Sequence, residues 1–282
     1  KVSNMTSESE EQEWIEAPDA WGPTEDPQDN DNGGTLLDLF GKDDPNDVFT
    51  FQIKHNNNSD AASTKTKTIR LSGFKLDSDE VDRSTGVTIW AAAPRLAHYL
   101  QDHAESTCKG KSVLELGAGL GLCGITAYYL GAYMTMTDGD THSLQKMREN
   151  VRQNCSSSSS GGDGDDNDDN AMMSASNNTL DCRQLLWGSP HMEKYLKVHG
   201  QSDTILGADV IYTETSIKPL FDTVACLLKP DGQFILSRVN KWNGVENEVV
   251  IEAAKAQKLY CTRPSEGIFV FRWNGVEESG GG

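Results

Sequence analysis

At 282 residues, with 36% hydrophobic side chains, a formal net charge of −18 and a mean hydropathy of −0.55, the chain has room for one large domain or two small ones but is too polar to be core throughout. The acidity is local: the first 47 residues hold 14 of the 43 acidic side chains and two of the 25 basic ones, and residues 155–180 hold five acidic and no basic ones. The nearly neutral remainder has no basic stripe for nucleic acid, no apolar run long enough for a membrane span, and six irregularly spaced cysteines without a Cys-x-x-Cys pair, so no disulfide framework and no metal site is expected.

Residues 1–47, rich in Glu, Asp, Asn, Pro and Gly, cannot bury enough surface to offset their ordering entropy and read as a disordered acidic tail, with Trp14-Ile15 and Leu36–Phe40 as sticky interruptions. Val48–Lys54 and Thr66–Leu71 alternate with period two, predicting an N-terminal β-hairpin within 48–75. Pro94 and the spacing of Leu96, Tyr99 and Leu100 predict a helix after Trp90. From Ser112 strands and helices alternate. The pattern predicts strand Ser112–Leu116, helix Leu122–Leu130, strand Tyr133–Thr137, helix Leu144–Asn154, and strands Leu180–Trp187 and Thr204–Ala208. It continues with helix Ser216–Leu228, a turn at Lys229-Pro230-Asp231-Gly232, strand Gln233–Val239, helix Glu246–Gln257, and strand Ile268–Trp273 paired antiparallel with Leu259–Thr262. Such alternation predicts an α/β fold, a mostly parallel sheet covered by helices on both faces, spanning 76–275. Residues 155–178 read as a solvated low-complexity acidic insertion, and 276–282 as a flexible tail.

The segment from Val113 to Gly124 is an apolar strand, a glycine-rich turn and a helix, a layout that lets backbone approach a ligand closely. The glycines fall at 117, 119 and 121, and position 122, where a dinucleotide fingerprint would have its third glycine, is Leu. Glu115 puts a carboxylate just before the turn, where it would repel a pyrophosphate and suit a cationic ligand. Asp138, 19 residues after Gly119 at the end of the next strand, is placed to accept the ribose hydroxyls of an adenosine; a cap for the helix at Leu144 is its bland alternative, although Asp140 and Thr141 are better placed to cap.

These residues resemble methyltransferase family 16, the group of methyltransferase-like 21 type protein-lysine methyltransferases. The resemblance rests on Glu115–Ile125, Met136-Thr137-Asp138, Leu185-Leu186-Trp187-Gly188, Ile205–Tyr212 and the upstream Gly86–Trp90, in that order. It covers roughly Thr85 to Val239; the acidic tail and insertion depart from the pattern, and the C-terminal third matches it loosely. It implies a Rossmann-like seven-stranded methyltransferase sheet with an antiparallel C-terminal strand, S-adenosylmethionine as cofactor, and a pocket lined by Trp90, Gly117, Ala118, Gly119, Asp138, Trp187 and Ala208. Core or strand-end packing is the ordinary alternative for the two tryptophans.

Asp209-Val210-Ile211-Tyr212 resembles the family's Asp/Glu-x-x-Tyr/Phe signature, which implies that Asp209 holds the acceptor nitrogen and Tyr212 offers a π-face beside the reacting cations. Capping by Asp209 and packing by Tyr212 are the alternatives. The expected enzyme is thus a protein-lysine methyltransferase acting on a protein substrate as a monomer in the cytoplasm, alternatively the nucleus. A histidine, arginine or small-molecule acceptor, an NAD-type oxidoreductase and a cofactor-binding scaffold without catalysis stay open as other readings. The first residue is Lys1, which leaves open a segment before it.

Overall fold

A computed structural model describes residues 47–56, 64–155, 173–175, 178–239 and 244–273. The tail expected over 1–47, apart from Asp47, and most of the acidic insertion lie outside the described residues. The hairpin comes first: β1 (Asp47–Asn56) pairs antiparallel with β2 (Thr64–Gly73) in a sheet of its own. Short helix α1 (Asp79–Arg83) follows, started by the Ser78 hydroxyl accepting from the Glu80 N–H, then a 3₁₀ turn at Thr85–Val87, then α2 (Ala92–Asp102) and α3 (Ala104–Thr107).

The alternating part runs β3 (Ser112–Leu116), α4 (Leu122–Tyr129), β4 (Tyr133–Asp138), α5 (Thr141–Cys155), β5 (Met173–Ala175), β6 (Asn178–Gln184), α6 (His191–His199), β7 (Ser202–Ala208), α7 (Glu214–Leu227), β8 (Leu228–Ser237), α8 (Asn247–Ala256), β9 (Leu259–Ser265) and β10 (Ile268–Trp273). The sheet order is β5-β6-β4-β3-β7-β8-β10-β9. Strands β6, β4, β3, β7 and β8 are parallel, while β10 runs antiparallel to β8 and to β9, as the short closing connection requires. The expected Rossmann-like architecture is observed, with β5 added as an edge strand from the end of the insertion.

The period of two along each strand sorts the core into two layers. Val113 of β3, Ile235 of β8 and Ile268 and Val270 of β10 face the layer that also contains Leu96, Ile125, Met147 and Val151 of α2, α4 and α5. Their neighbours Leu114, Phe234, Leu236, Phe269 and Phe271 face the layer of Tyr195, Phe221, Val224 and Val250 from α6, α7 and α8. The hairpin adds Phe51, Ile53, Ile69 and Leu71 to the first layer. Its outer edge is held by two asparagines one helical turn apart on α5. Asn154 accepts from the Arg70 N–H (2.9 Å) and donates to the Arg70 carbonyl (2.7 Å), and Asn150 does the same with Ser72 (2.8 and 3.2 Å). These amides supply the donor and acceptor that a third strand would have offered to β2.

Two local expectations are corrected. The strand expected over Leu180–Trp187 stops at Gln184; the Leu185 N–H still reaches the Asp138 carbonyl (3.0 Å), and Gly188 at φ +89° then turns the chain, freeing Trp187 from the ladder. The turn signal Lys229–Gly232 sits inside β8: Ser202 pairs with Leu228 but Thr204 already pairs with Gln233, so these residues bulge from the ladder, which a proline without an N–H favours. Helix α6 was not foreseen, because it is short, polar and buries Tyr195 alone.

Candidate functional site

Strand order reverses at β3: the chain leaves it toward β4 and β6 and returns on its other side as β7. At such a switch point the loops beyond the carboxyl ends of the strands part and leave a crevice. A cavity of about 410 Å³ lies there, and all ten residues singled out from the sequence line it: Trp90, Glu115, Gly117, Ala118, Gly119, Asp138, Trp187, Ala208, Asp209 and Tyr212.

The floor is the turn after β3. Gly117 has φ +65°, and a Cβ there would meet Val210 Cγ1 at 2.8 Å; Gly119 has φ +54°, and a Cβ there would lie 2.9 Å from the Gly86 carbonyl oxygen. The turn is fastened to the next strand twice: the Ala118 N–H donates to the Thr137 carbonyl (2.9 Å) and the Gly119 N–H to Asp138 Oδ2 (3.0 Å). Asp138 Oδ1 also accepts from the Asp140 N–H (3.0 Å). Burial raises the Asp138 carboxyl above its usual range, against the lowering effect of these bonds.

The helix cap is Asp140, as its position suggested. Its carboxylate accepts from the Ser143 N–H and hydroxyl (both 2.9 Å) and from the Ser84 hydroxyl. Burial would raise Asp140, but these donors outweigh it and hold the group below the ordinary carboxylate value. Ser84 leads into Thr85–Val87, which roofs the cavity. Gly86 packs on Gly119, the Thr85 carbonyl accepts from the Trp90 indole N–H (2.8 Å), and the Thr85 side chain is hydrogen-bonded to Tyr212. Thr85, Asp140 and Ser143 were not named as site residues from the sequence. The only local signal was the pair of aspartates around Gly139 ahead of the helix.

Glu115 stands differently from expectation. Glu115 is 2% exposed, and its Oε2 meets no hydrogen-bond partner among the described residues. Desolvation, opposed by donors from Gly124 and Cys123 and reinforced by Asp138, pushes its carboxyl up to about 8. It is therefore largely neutral at pH 7, and the charge repulsion assigned to it on sequence grounds belongs instead to Asp138 and Asp140. Asp209 lines the cavity in a left-handed conformation (φ +51°), 5% exposed, with its N–H on the Ser237 carbonyl (2.9 Å), its Oδ1 3.4 Å from the Val239 N–H, and Arg238 beside it as a counter-charge. Tyr212 is 44% exposed at the mouth; burial of its inner part and then the Asp138 charge raise its phenol above the usual value.

Four carboxyl side chains thus line this cavity and, among the described residues, no lysine, arginine or histidine does. Residues 71–254 match the family described as lysine methyltransferase. The chain belongs to that family. Within the lysine methyltransferase family it is similar to protein N-lysine methyltransferase METTL21A of Xenopus tropicalis, 32% identical over 164 residues that cover 58% of this chain and 65% of that one. It is also similar to EEF1A lysine methyltransferase 3 of the same species, 32% identical over 149 residues, 53% of this chain and 55% of the other. The chain therefore spans just under two thirds of the first of these relatives and about half of the second. A solved T. thermophilus 16S rRNA N2 G1207 methyltransferase in complex with AdoMet and guanosine shares 14% identity at a TM-score of 0.47, over 80% of this chain and 50% of that one.

Proposed function

We propose that this protein transfers a methyl group from S-adenosylmethionine to the side-chain nitrogen of a lysine in a protein substrate. Family membership supports the reaction class, and one observation carries the cofactor: a switch-point cavity lined by the carboxylates of Asp138, Asp140 and Asp209, a largely neutral Glu115 and no basic residue among those described. Such a lining favours a ligand bearing sulfonium and ammonium charges and opposes the pyrophosphate of a dinucleotide. Its volume lies within the roughly 300–1,000 Å³ common for small-molecule sites. At Gly117 and Gly119 a Cβ would strike neighbouring atoms, so the turn stays flat against the cavity.

When bound, S-adenosylmethionine supplies the activated methyl group. The chain's own residues bind, orient and exclude water. Asp138 spends part of its about four acceptor sites on the loop and keeps others for ribose hydroxyls. Trp90 and Trp187 provide flat apolar walls. At the acceptor end Asp209 and Tyr212 hold the amine, which must be neutral to react although its reference pKa is about 10.4. Enclosure among Trp187, Val210 and Tyr212 lowers that value by desolvation, and a neutral Glu115 leaves one fewer carboxylate to oppose the loss of the proton. The same proposal takes 76–275 as the catalytic domain, working as a monomer in the cytoplasm or nucleus, with no nucleic acid or membrane partner.

The test is a melt with S-adenosylhomocysteine followed by tritium transfer from labelled cofactor into cell extract and mass spectrometry of the labelled band. A ligand bound only by the native state adds about 2.7 kcal/mol at a hundredfold excess over Kd. Stabilisation by NAD with none by the thioether would sink the proposal, and label on an amino acid other than lysine would sink its acceptor half.

A further inference from the structure

A second cavity of about 480 Å³ adjoins the first and shares no lining residue with it. Two short links join them. On α2, Ala93 lines the first cavity and Arg95 the second; after β8, Val239 lines the second and its N–H faces Asp209 of the first. The lining of the second cavity is opposite in sign. Among the described residues Arg95, Arg238 and Arg263 contribute to it, against one acidic residue, Glu266, whose backbone carbonyl accepts from Arg95 (2.7 Å).

Arg238 forms the buried wall of this lining. It is 4% exposed, yet a guanidinium stays charged at any physiological pH. One terminal nitrogen donates to Asn247 Oδ1 (2.7 Å) and the other to the Val245 carbonyl; its Nε–H finds no acceptor among the described residues. Nearby Asp209 and Glu246 act on it electrostatically without supplying that acceptor. Arg263 lies over the Phe269 ring at 4.9 Å, with Glu248 at 3.8 Å on an exposed edge. The Arg238 fork is thus filled from within the chain and its charge forms the wall, so the guanidinium groups of Arg95 and Arg263 are the ones whose planar forks match a carboxylate.

We infer that this arginine-lined cavity is a specificity subsite that takes an acidic side chain of the protein substrate, Asp or Glu, a few residues from the target lysine. The inference rests on the proposed acceptor class, because it is the neighbouring cavity that would hold the lysine. The acceptor strand would then be read by two pockets of opposite charge, a lysine beside the carboxyls and an acid beside the arginines, and a chain with the opposite order of charges would be rejected by both.

The experiment uses arrayed lysine-centred peptides carrying Asp, Asn or Lys at each flanking position. They are probed with the full chain saturated with S-adenosylhomocysteine for binding, and with tritiated cofactor for transfer. Arg95→Ala, Arg263→Ala and the double variant are compared, each checked for a wild-type melt; Arg238 is left intact because its removal would disturb the packing. The expected result is a preference of about tenfold or more for Asp over Asn at one flanking position, the worth of one charge-assisted hydrogen bond. The preference should be lost in the double variant, with peptides bearing Asn bound as before. Arg263→Glu should turn it toward Lys. Equal binding of Asp and Asn peptides, or a preference that survives the double variant, overturns the subsite even if methyl transfer proceeds. Displacement of the acidic peptides by a single-stranded oligonucleotide would overturn it in favour of a nucleic-acid surface. An acid preference in binding without any methyl transfer leaves the subsite standing and sinks the lysine methyltransferase proposal instead.

Discussion

Glu115→Gln should make the protein more stable at alkaline pH and leave it nearly unchanged in acid. The wild-type carboxyl is fully buried, and desolvation raises it from its ordinary 4.5 to about 8. A raised acid binds its proton more tightly in the folded state, so its contribution is intact below the unfolded value and is lost as pH climbs through the folded one. Between about pH 4.5 and 8 the unfolded chain releases this proton and the folded chain does not. Each pH unit in that window costs the wild type about 1.4 kcal/mol, and the whole window a few kcal/mol. Glutamine keeps the shape and the neutral state at every pH, so its variant should lack this slope. Urea melts at intervals from pH 5 to 9 would read the difference between the two proteins directly. A wild-type-minus-variant difference that stays flat across the window would refute the argument, since a carboxyl held charged in the fold finishes titrating below about pH 4.5.

Gly119→Ala should cost on the order of 1–3 kcal/mol, since the new Cβ would lie 2.9 Å from the Gly86 carbonyl in a left-handed conformation, and S-adenosylhomocysteine titration should show weakened binding. Wild-type affinity would mean that the loop and its roof part readily. Asn154→Ala removes hydrogen bonds to both backbone groups of Arg70 and to the Asn150 carbonyl, and should destabilise by about 1–3 kcal/mol, with the excess amide exchange confined to β2. Uniform exchange over the whole chain would refute the local clamp. Asp209→Asn separates two roles: a grip on the acceptor amine predicts turnover lower by about a hundredfold at unchanged cofactor affinity, whereas an anchor on Val239 and Arg238 alone predicts a loss of about 1–3 kcal/mol in the melt with turnover intact.

The parts legible in the sequence were those whose signal is local. The strand, turn and helix around Val113–Gly124 announce themselves within a dozen residues, and the continuous apolar run Ile268–Phe271 marks a strand buried on both faces, its side chains divided alternately between the two layers. The ten candidate residues converge on one cavity because they lie at or just beyond the carboxyl ends of β3, β4 and β7 or in the loops beside them. What stayed hidden depends on distant pairings. Nothing near Asn150 and Asn154 tells that they grip a strand some eighty residues earlier, and nothing near Ser84 points to Asp140. The charge state of Glu115 was misjudged for a related reason: a carboxylate reads as charged until the fold removes its water. Helix α6 escaped because one buried tyrosine makes no periodic stripe.

Helix α5 connects most of these hidden pairings. At its start Asp140 holds Ser84 and so sets the roof at Thr85 and Gly86; toward its end Asn150 and Asn154 hold β2, and Asn150 also donates to the Leu120 carbonyl in the glycine turn (3.1 Å). Between the two, the Phe74 N–H reaches the Val87 carbonyl (2.9 Å) and the Thr88 hydroxyl returns to the Phe74 carbonyl (2.7 Å), stitching the hairpin's exit to the roof. Roof, floor and hairpin are therefore oriented by one rigid element. A hairpin that only covered the core would need the apolar contacts of Phe51 and Ile69 but not this polar register. Its register on α5 fixes where Thr85 and Trp90 stand over the cavity, which gives the hairpin a positioning role in the site although no residue of β1 or β2 lines it.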